Sequence, residues 1–187
     1  MHRTTQTMVG RGLKLAAYAG AGTVVGIAAG GVLGMVGSWI EPEIRAVIAV
    51  CLALVALFVA LVELAGHRLR IVQIDRETPY GWLSPGPLSW AAKNGAAIGF
   101  GAGTRLGFWL WYAIPLGALL AGNPLVGGLG YGLYSLTRTL GAGVIIVMVQ
   151  RAGWTARLIL DQSIRARAAS NYALLALAVT AIVIVGS

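Results

Sequence analysis

The sequence predicts an all-α protein: a polytopic transmembrane helix bundle of about five spans, with its N-terminus in the cytoplasm and its C-terminus outside. Three observations predict this class. Of the 187 residues 58% are hydrophobic, only 11% are charged, and the mean hydropathy is +0.80. A soluble domain carries about 25% charged residues. We therefore expect one integral membrane domain over 1–187, multi-pass in a cell membrane of the bacterial inner-membrane type.

The predicted spans follow from the lengths of the apolar stretches. A helix needs about 20 apolar residues to cross the hydrocarbon layer. The stretches that approach or meet this length are about 14–40, 44–65, 95–121, 124–149 and, shorter, 171–186. Cytoplasmic loops are predicted at 66–93 and 150–170. Gly122-Asn123-Pro124 predicts a tight turn between the third and fourth spans, with proline at a helix start.

The distribution of Lys and Arg predicts the orientation. Basic residues gather in the N-terminal tail and in the two long loops: Arg3, Arg11, Lys14, Arg68, Arg70, Arg76, Lys93, Arg151, Arg157, Arg165 and Arg167. The other side keeps Arg45, flanked by Glu41 and Glu43. An excess of Lys and Arg marks the cytoplasmic side. The net charge of +8 therefore indicates membrane orientation rather than a nucleic-acid partner.

The segment 155–169 has two interpretations. Arg157, Asp161 and Arg165 fall at i, i+4 spacing and would pair along one face of an interfacial helix. A solvated basic loop that sets the topology is the favoured alternative.

The cysteine and histidine content predicts neither a cofactor nor a metal site. Cys51 is the single cysteine, so no intramolecular disulfide and no CxxC pair is expected. His2 and His67 belong to no ligand-spaced cluster. No catalytic constellation is visible, so an enzyme is not expected.

Two rows of glycine predict close helix contacts. Glycines recur at every fourth position in the first and third spans: Gly22, Gly26, Gly30 and Gly34, then Gly95, Gly99, Gly103 and Gly107. Such glycine zippers let helices approach closely. The favoured interpretation is that they hold the bundle together. Alternatively, they face a second copy, as in a homo-oligomer, or another subunit of a larger membrane complex.

Two arginines inside predicted spans are the main functional signal. A charge near the bilayer centre faces protein or water and marks a site. Because the third and fourth spans run antiparallel, Arg105 and Arg138 are expected at equal depth. Aromatic residues share their helix faces through i+3, i+4 and i+7 spacing. The predicted substrate-binding set is Arg105, Arg138, Trp109, Tyr112, Tyr131 and Tyr134.

Three interpretations of these arginines remain open. In the first, Glu63, Asp75 or Glu77 neutralises them in a structural network. In the second, they face a cavity and bind an anionic small molecule. In the third, they meet acidic groups of a partner protein or a lipid phosphate.

Part of the chain resembles a family of small membrane proteins. The features are a charged, Trp-containing loop, a Gly-rich entry to the third span, a tight turn and a Tyr-to-Arg segment: Asp75, Arg76, Glu77 and Trp82, then Gly99-x-Gly101-x-Gly103-Thr104, Gly122-Asn123-Pro124, and Tyr134 to Arg138. This pattern resembles the CcdA and sulfite-exporter type, within the LysE-like exporter group. The resemblance implies a small polytopic transporter-like protein. CcdA-type thiol electron transfer is not implied, because Cys51 has no partner, and the group usually has six spans.

The resulting hypothesis is a small transporter-like membrane protein. It would handle an anionic or amphipathic small molecule through the arginine-aromatic face, with membrane lipid around it. The alternative is a non-catalytic subunit or assembly factor of a larger membrane complex. A third possibility is a lipid- or quinone-modifying enzyme that uses Asp75, Arg76 and Glu77 near a headgroup.

Overall fold

A computed structural model describes residues 8–70, 87–101, 109–152 and 156–186. These residues are almost entirely helical. The helices are α1 (Met8–Ser38), α2 (Pro42–Leu64), α3 (Leu88–Phe100), α4 (Leu110–Ala121), α5 (Pro124–Ala152) and α6 (Ala156–Gly186). Within the described residues, the segments long and apolar enough to cross a membrane are Gly12–Ser38, Pro42–Leu64 and Arg165–Val183.

The sequence of α2 explains both of its ends. Pro42 stands in the first turn, where its missing N–H is not needed, and Glu43 there suits the positive end of the helix dipole. At the other end Gly66 adopts φ +92°. Its N–H donates to the Glu63 carbonyl (3.1 Å), and the His67 N–H donates to the Val62 carbonyl (3.1 Å). This is a Schellman cap, in which N–H groups beyond the helix satisfy two of its last carbonyls.

Two residues connect α4 to α5, where a tight turn was predicted. Gly122 ends α4 in the left-handed conformation at φ +56°. The Asn123 side-chain oxygen then accepts hydrogen bonds from the N–H groups of Leu125 (2.9 Å) and Val126 (3.2 Å). Pro124 is the first residue of α5. The turn thus combines a glycine C-cap, an asparagine N-cap and an N-terminal proline.

The region predicted as a continuous third span is interrupted. Helix α3 ends at Phe100, and Gly101 follows at φ +82° with its N–H donating to the Ile98 carbonyl (3.0 Å). Helix α4 begins at Leu110. At 1.5 Å per residue α3 and α4 are each about 20 Å long or less, short of the ~30 Å hydrocarbon layer. The structure therefore differs from a single helix over 95–121.

The region predicted as a loop over 150–170 is helical wherever it is described. Helix α5 continues to Ala152, and α6 begins at Ala156 and runs without a break to Gly186. Its first half is rich in Ala and Arg, also contains Leu, and has no Pro or Gly, so helix propensity outweighs its polarity. The favoured loop over 155–169 is replaced by the first turns of a long helix.

The helices form two groups that meet at α4. Helix α1 packs mainly against α5 and α3, and α2 packs mainly against α6. Helix α4 contacts members of both groups. Along α1, Gly22 faces Thr139 and Gly34 faces Asn123, so α5 runs antiparallel to α1. Gly95 faces Tyr18 and Gly99 faces Gly22, so α3 runs parallel to it.

The glycine row of α1 lies against α5 and α3. A Cβ atom at Gly22 would stand 2.7 Å from Thr139 Cγ2 and 2.9 Å from the Gly95 carbonyl oxygen. At Gly26 it would stand 2.7 Å from Ser135 Cβ, and at Gly34 2.8 Å from the Asn123 carbonyl carbon. Real Cβ atoms do not approach so closely, so these positions fit only glycine without rearrangement. Gly30 likewise meets Gly127 and Tyr131 of α5.

The glycines of α3 lie against the backbone of α1. A Cβ atom at Gly95 would meet the Tyr18 carbonyl, and one at Gly99 would meet the Gly22 carbonyl. In both cases the partner is main chain, which cannot rotate away. Gly103 and Gly107 lie outside the described residues.

The outer surface of α2 is apolar. Its most exposed side chains include Val47, Leu54, Val55, Phe58 and Leu61, each more than half exposed. Monomeric soluble proteins rarely expose contiguous apolar patches of this kind, whereas a lipid-facing helix requires them. This surface is consistent with a membrane protein.

Candidate functional site

The candidate site is built where α3 ends inside the bundle. The last carbonyls of a helix have no partner within it, and away from water they must find one elsewhere. The Ser135 hydroxyl of α5 donates to the Gly99 carbonyl (3.2 Å), and the Tyr131 hydroxyl donates to the Phe100 carbonyl (3.1 Å). Ser135 is fully buried and Tyr131 nearly so. Two hydroxyls of α5 therefore satisfy the interrupted end of α3.

Arg138 lies level with this interruption. It is adjacent to Thr139, which faces Gly22, and Gly22 in turn faces Gly99. Its guanidinium hydrogen-bonds to the Tyr134 hydroxyl and interacts electrostatically with Tyr131 and with Tyr18 of α1. We call Tyr18, Tyr131, Tyr134 and Arg138 the arginine–tyrosine cluster.

The cluster is held on packed helices. The Tyr131 and Tyr134 rings are 6.3 Å apart in an edge-to-face arrangement. Tyr18 has no exposed surface and packs with Ala91 and Ile98 of α3. Phenol hydroxyls both donate and accept hydrogen bonds, and arginine only donates. The Tyr131 hydroxyl already donates to the Phe100 carbonyl and the Tyr134 hydroxyl is hydrogen-bonded to Arg138, so the cluster combines one positive charge with phenol groups that hold it in place.

Trp109 and Tyr112 of α4 line a different space. Their ring centroids lie 5.6 Å apart, and both line an apolar cleft between α2, α4 and α6. Trp111, between Trp109 and Tyr112 in the chain, is the α4 residue beside the interruption, because its ring lies against Gly101 next to the Tyr131 hydroxyl. Of the six predicted substrate-binding residues, the structure thus brings together Tyr131, Tyr134 and Arg138.

The remaining predicted site residues lie elsewhere. Arg105 falls in 102–108, and Asp75 and Glu77 fall in 71–86; these residues lie outside the described part of the chain. Glu63, proposed as a charge partner, accepts a hydrogen bond from Asn171 Nδ2 of α6 on its Oε2 atom (3.0 Å). Its hydrogen bond therefore joins α2 to α6.

Sequence reasoning missed Tyr18, Lys14, Ser135 and Thr139, although a signal for them exists. The every-fourth spacing of the α1 glycines, continued backward from Gly22, reaches Tyr18 and then Lys14. Both are buried, Lys14 to 7% exposure. On α5 the same spacing joins Gly127, Tyr131, Ser135 and Thr139, which face the α1 row. Continuing the every-fourth spacing of the glycine rows to positions that are not glycine identifies all four residues.

The described residues are thus almost entirely helical, with three helices long and apolar enough to cross a membrane and with an arginine–tyrosine cluster in which Tyr18 and Tyr131 are buried and Tyr134 and Arg138 are partly buried. Comparison with protein-family models, with curated proteins and with solved structures gives no match for this chain. Among the described residues no group of three or more His, Cys, Asp and Glu side chains is placed to hold a metal ion.

Proposed function

We propose that the chain is a small multi-pass membrane protein of the transporter type that handles an anionic or amphipathic small molecule. The observation that carries the proposal is Arg138, which lies with three tyrosines at the level where α3 is interrupted. Interrupted membrane helices commonly border substrate sites in transporters. An arginine within a span faces such a site by default.

The depth of Arg138 supports this proposal. Trp39 is 75% exposed after the end of α1, and Trp90 is 39% exposed at the start of α3. Exposed tryptophans at the two ends of a bundle suit the two membrane interfaces. The contacts of α1 with α3 and α5 place Arg138 at the same height along the bundle as Thr23 of α1. Measured along the helix axes, Trp90 lies about 15 Å from this height toward one end of the bundle, and Trp39 lies about 24 Å toward the other end. These distances support the proposed position of Arg138 inside the hydrocarbon layer.

The orientation proposed from the basic residues is compatible with this arrangement. In it, Trp90 and the N-terminal part of α1 lie at the cytoplasmic side, and Trp39 and Arg45 lie outside. In this proposal α6 crosses the membrane and puts the C-terminus outside, and α3 and α4 together make up one crossing.

Flux measurements in proteoliposomes test the proposal. Purified protein is reconstituted in vesicles, and efflux of two anions is followed: inorganic sulfate and octanesulfonate, which adds an apolar chain. We expect efflux of at least one of them above that of empty vesicles. Arg138→Gln should reduce this efflux about tenfold or more, because the replacement removes the positive charge that binds the anion. Arg68→Gln, at an exposed arginine, is the matched control.

The outcome also separates transport from a structural role. Circular dichroism and size-exclusion chromatography show whether the Arg138 variant remains folded. A folded variant with unchanged flux contradicts the proposal, as does wild-type protein that moves neither anion. Co-purification of a stoichiometric larger partner in mild detergent, without flux, would favour a subunit of a membrane complex instead.

A further inference from the structure

A second candidate site lies on the other side of α4. The cleft between α2, α4 and α6 has a volume of about 560 Å³. Its walls are apolar and include Leu52 and Val59 of α2, Leu116 of α4, and Leu174 and Leu177 of α6. Along α2 it extends from Val59 to Ala49, a length of about 15 Å. The shape suits an extended alkyl chain.

The cleft lining is almost entirely apolar, and polar side chains stand one helical turn beyond one of its ends. Trp109 lines it and packs against Val59, Ala60 and Leu174. One helical turn from Val59 is Glu63, and one turn from Leu174 is Asn171, so the Glu63–Asn171 hydrogen bond closes the same end.

Three buried polar atoms at this end lack partners among the described residues. They are Glu63 Oε1, Trp109 Nε1 and Ser170 Oγ, and Ser170 is only 7% exposed. Buried polar atoms are normally hydrogen-bonded, and a carboxylate oxygen left without a donor is especially unfavourable. The atoms comprise an acceptor with negative charge, a donor and a hydroxyl that serves as either.

We propose that this cleft binds a single-chain amphiphile with a protonated amine in its head. The ammonium group donates to Glu63 Oε1, and its charge is further stabilised by the Trp109 ring. A hydroxyl beside the amine would accept from Trp109 Nε1, so an amino-alcohol head fits best. The alkyl chain follows α2 from Val59 toward Ala49. An anionic head is excluded because Glu63 would repel it.

The position of the cleft in the membrane agrees with this occupant. Glu63 lies in the last turn of α2, and Arg45 lies in the first. The polar end of the cleft is therefore near one membrane interface, and the apolar walls extend into the hydrocarbon layer. A bound chain would lie with its head at headgroup level, as lipids do. This site does not depend on the proposed transport function, because none of its polar groups belongs to the arginine–tyrosine cluster.

Quenching of tryptophan fluorescence in nanodiscs tests the proposal. The probes are octadecylamine and stearic acid that carry the same nitroxide in mid-chain, so they differ only in the charge of the head. We expect the amine to quench at a concentration about tenfold below the acid. The net charge of +8 favours the acid at the protein surface, so a preference for the amine cannot arise from bulk electrostatics.

Variants assign the effect to the cleft. Glu63→Gln keeps the size of the side chain and should abolish the preference for the amine. Glu43→Gln, at an exposed acid of the same helix, should retain it. Ala56→Phe fills the cleft and should weaken amine quenching even if the Glu63 variant folds poorly. An unchanged preference for the amine in Glu63→Gln overturns the proposal. Equal quenching by the two probes also overturns it, because it would show that the cleft takes any lipid chain regardless of the head.

Discussion

The hydroxyl of Ser135 in α5 donates a hydrogen bond to the carbonyl of Gly99 in α3, so the end of one helix is completed by the side chain of another. The contact is possible because Gly99 has no side chain and approaches Gly22 of α1 at the same level. Tyr131 completes the next carbonyl, at Phe100, in the same way. The interruption of α3 is thus stabilised from outside α3.

Replacement of Ser135 by Ala should destabilise the protein. It leaves the Gly99 carbonyl without its donor, and we expect the free energy of unfolding to fall by about 1 kcal/mol. Unfolding in detergent micelles on titration with SDS, followed by circular dichroism, measures the loss. Thr137→Ala is the control, because the Thr137 hydroxyl is exposed and bonds within its own helix. Equal losses in the two variants would contradict the assigned role of Ser135.

Replacement of Gly26 by Ala should separate α1 from α5. The added methyl group meets Ser135, and overpacking of this kind lowers the free energy of unfolding by about 1–3 kcal/mol. Gly20→Ala, on the same helix, is the matched control because no atom lies within 4 Å of its Cβ position. It should be neutral or stabilising, since alanine favours helix over glycine by up to about 1 kcal/mol. The same SDS titration distinguishes the two.

Replacement of Gly122 by Ala should weaken the α4–α5 turn. An L-residue in the left-handed conformation costs about 1–2 kcal/mol, and the methyl group would also displace the Arg45 guanidinium. Gly117→Ala in α4 serves as the comparison, because its Cβ position is open and its backbone is helical. Thermal unfolding in micelles should show a lower midpoint for Gly122→Ala alone. A midpoint equal to that of the wild type would show that the turn tolerates a side chain.

Replacement of Asn123 by Ala should remove the N-cap of α5. Loss of the side-chain acceptor for the Leu125 and Val126 N–H groups is expected to cost about 1 kcal/mol. Asn123→Asp retains an acceptor oxygen at a helix N-terminus and should remain close to the wild type. If the two variants unfold alike, the cap does not contribute to stability.

Local sequence signals predicted some parts of the fold well. The Gly122-Asn123-Pro124 turn depends on residues that are adjacent in the chain, so the sequence alone predicted its position and the proline at the start of α5. The apolar lengths of α1 and α2 likewise predicted helices, and both are long enough to cross a membrane. In contrast, the helical start of α6 was only one of two interpretations: the i, i+4 spacing of its charges indicated a helix, but a solvated loop was favoured, and the structure has a helix there.

The interruption of α3 was not predicted, although the local sequence carries a signal for it. The segment 99–107 is rich in glycine and contains Thr104 and Arg105, so the apolar stretch weakens there, yet the predicted span was drawn across it. The hydroxyls that satisfy the end of α3 come from Ser135 and Tyr131, which are remote in sequence and could not be assigned to it from local residues. The face predicted for Trp109 and Tyr112 assumed the same continuous helix. Equal depth was inferred for one straight helix, whereas α4 directs Trp109 into the cleft between α2 and α6.

The main-chain contacts of α1 with α3 and α5 restrict where this protein can move. Glycine against carbonyl leaves no rotatable side chain to absorb a displacement, so these three helices should behave as a rigid body. Among the described residues, helices α2 and α6 pack against this body mainly through α4, in which the Cβ position of Gly117 is open and Pro115 interrupts the backbone hydrogen bonding. A relative movement of the two helix groups would therefore be a rotation of the α2–α6 pair about α4, while α1, α3 and α5 keep their mutual positions.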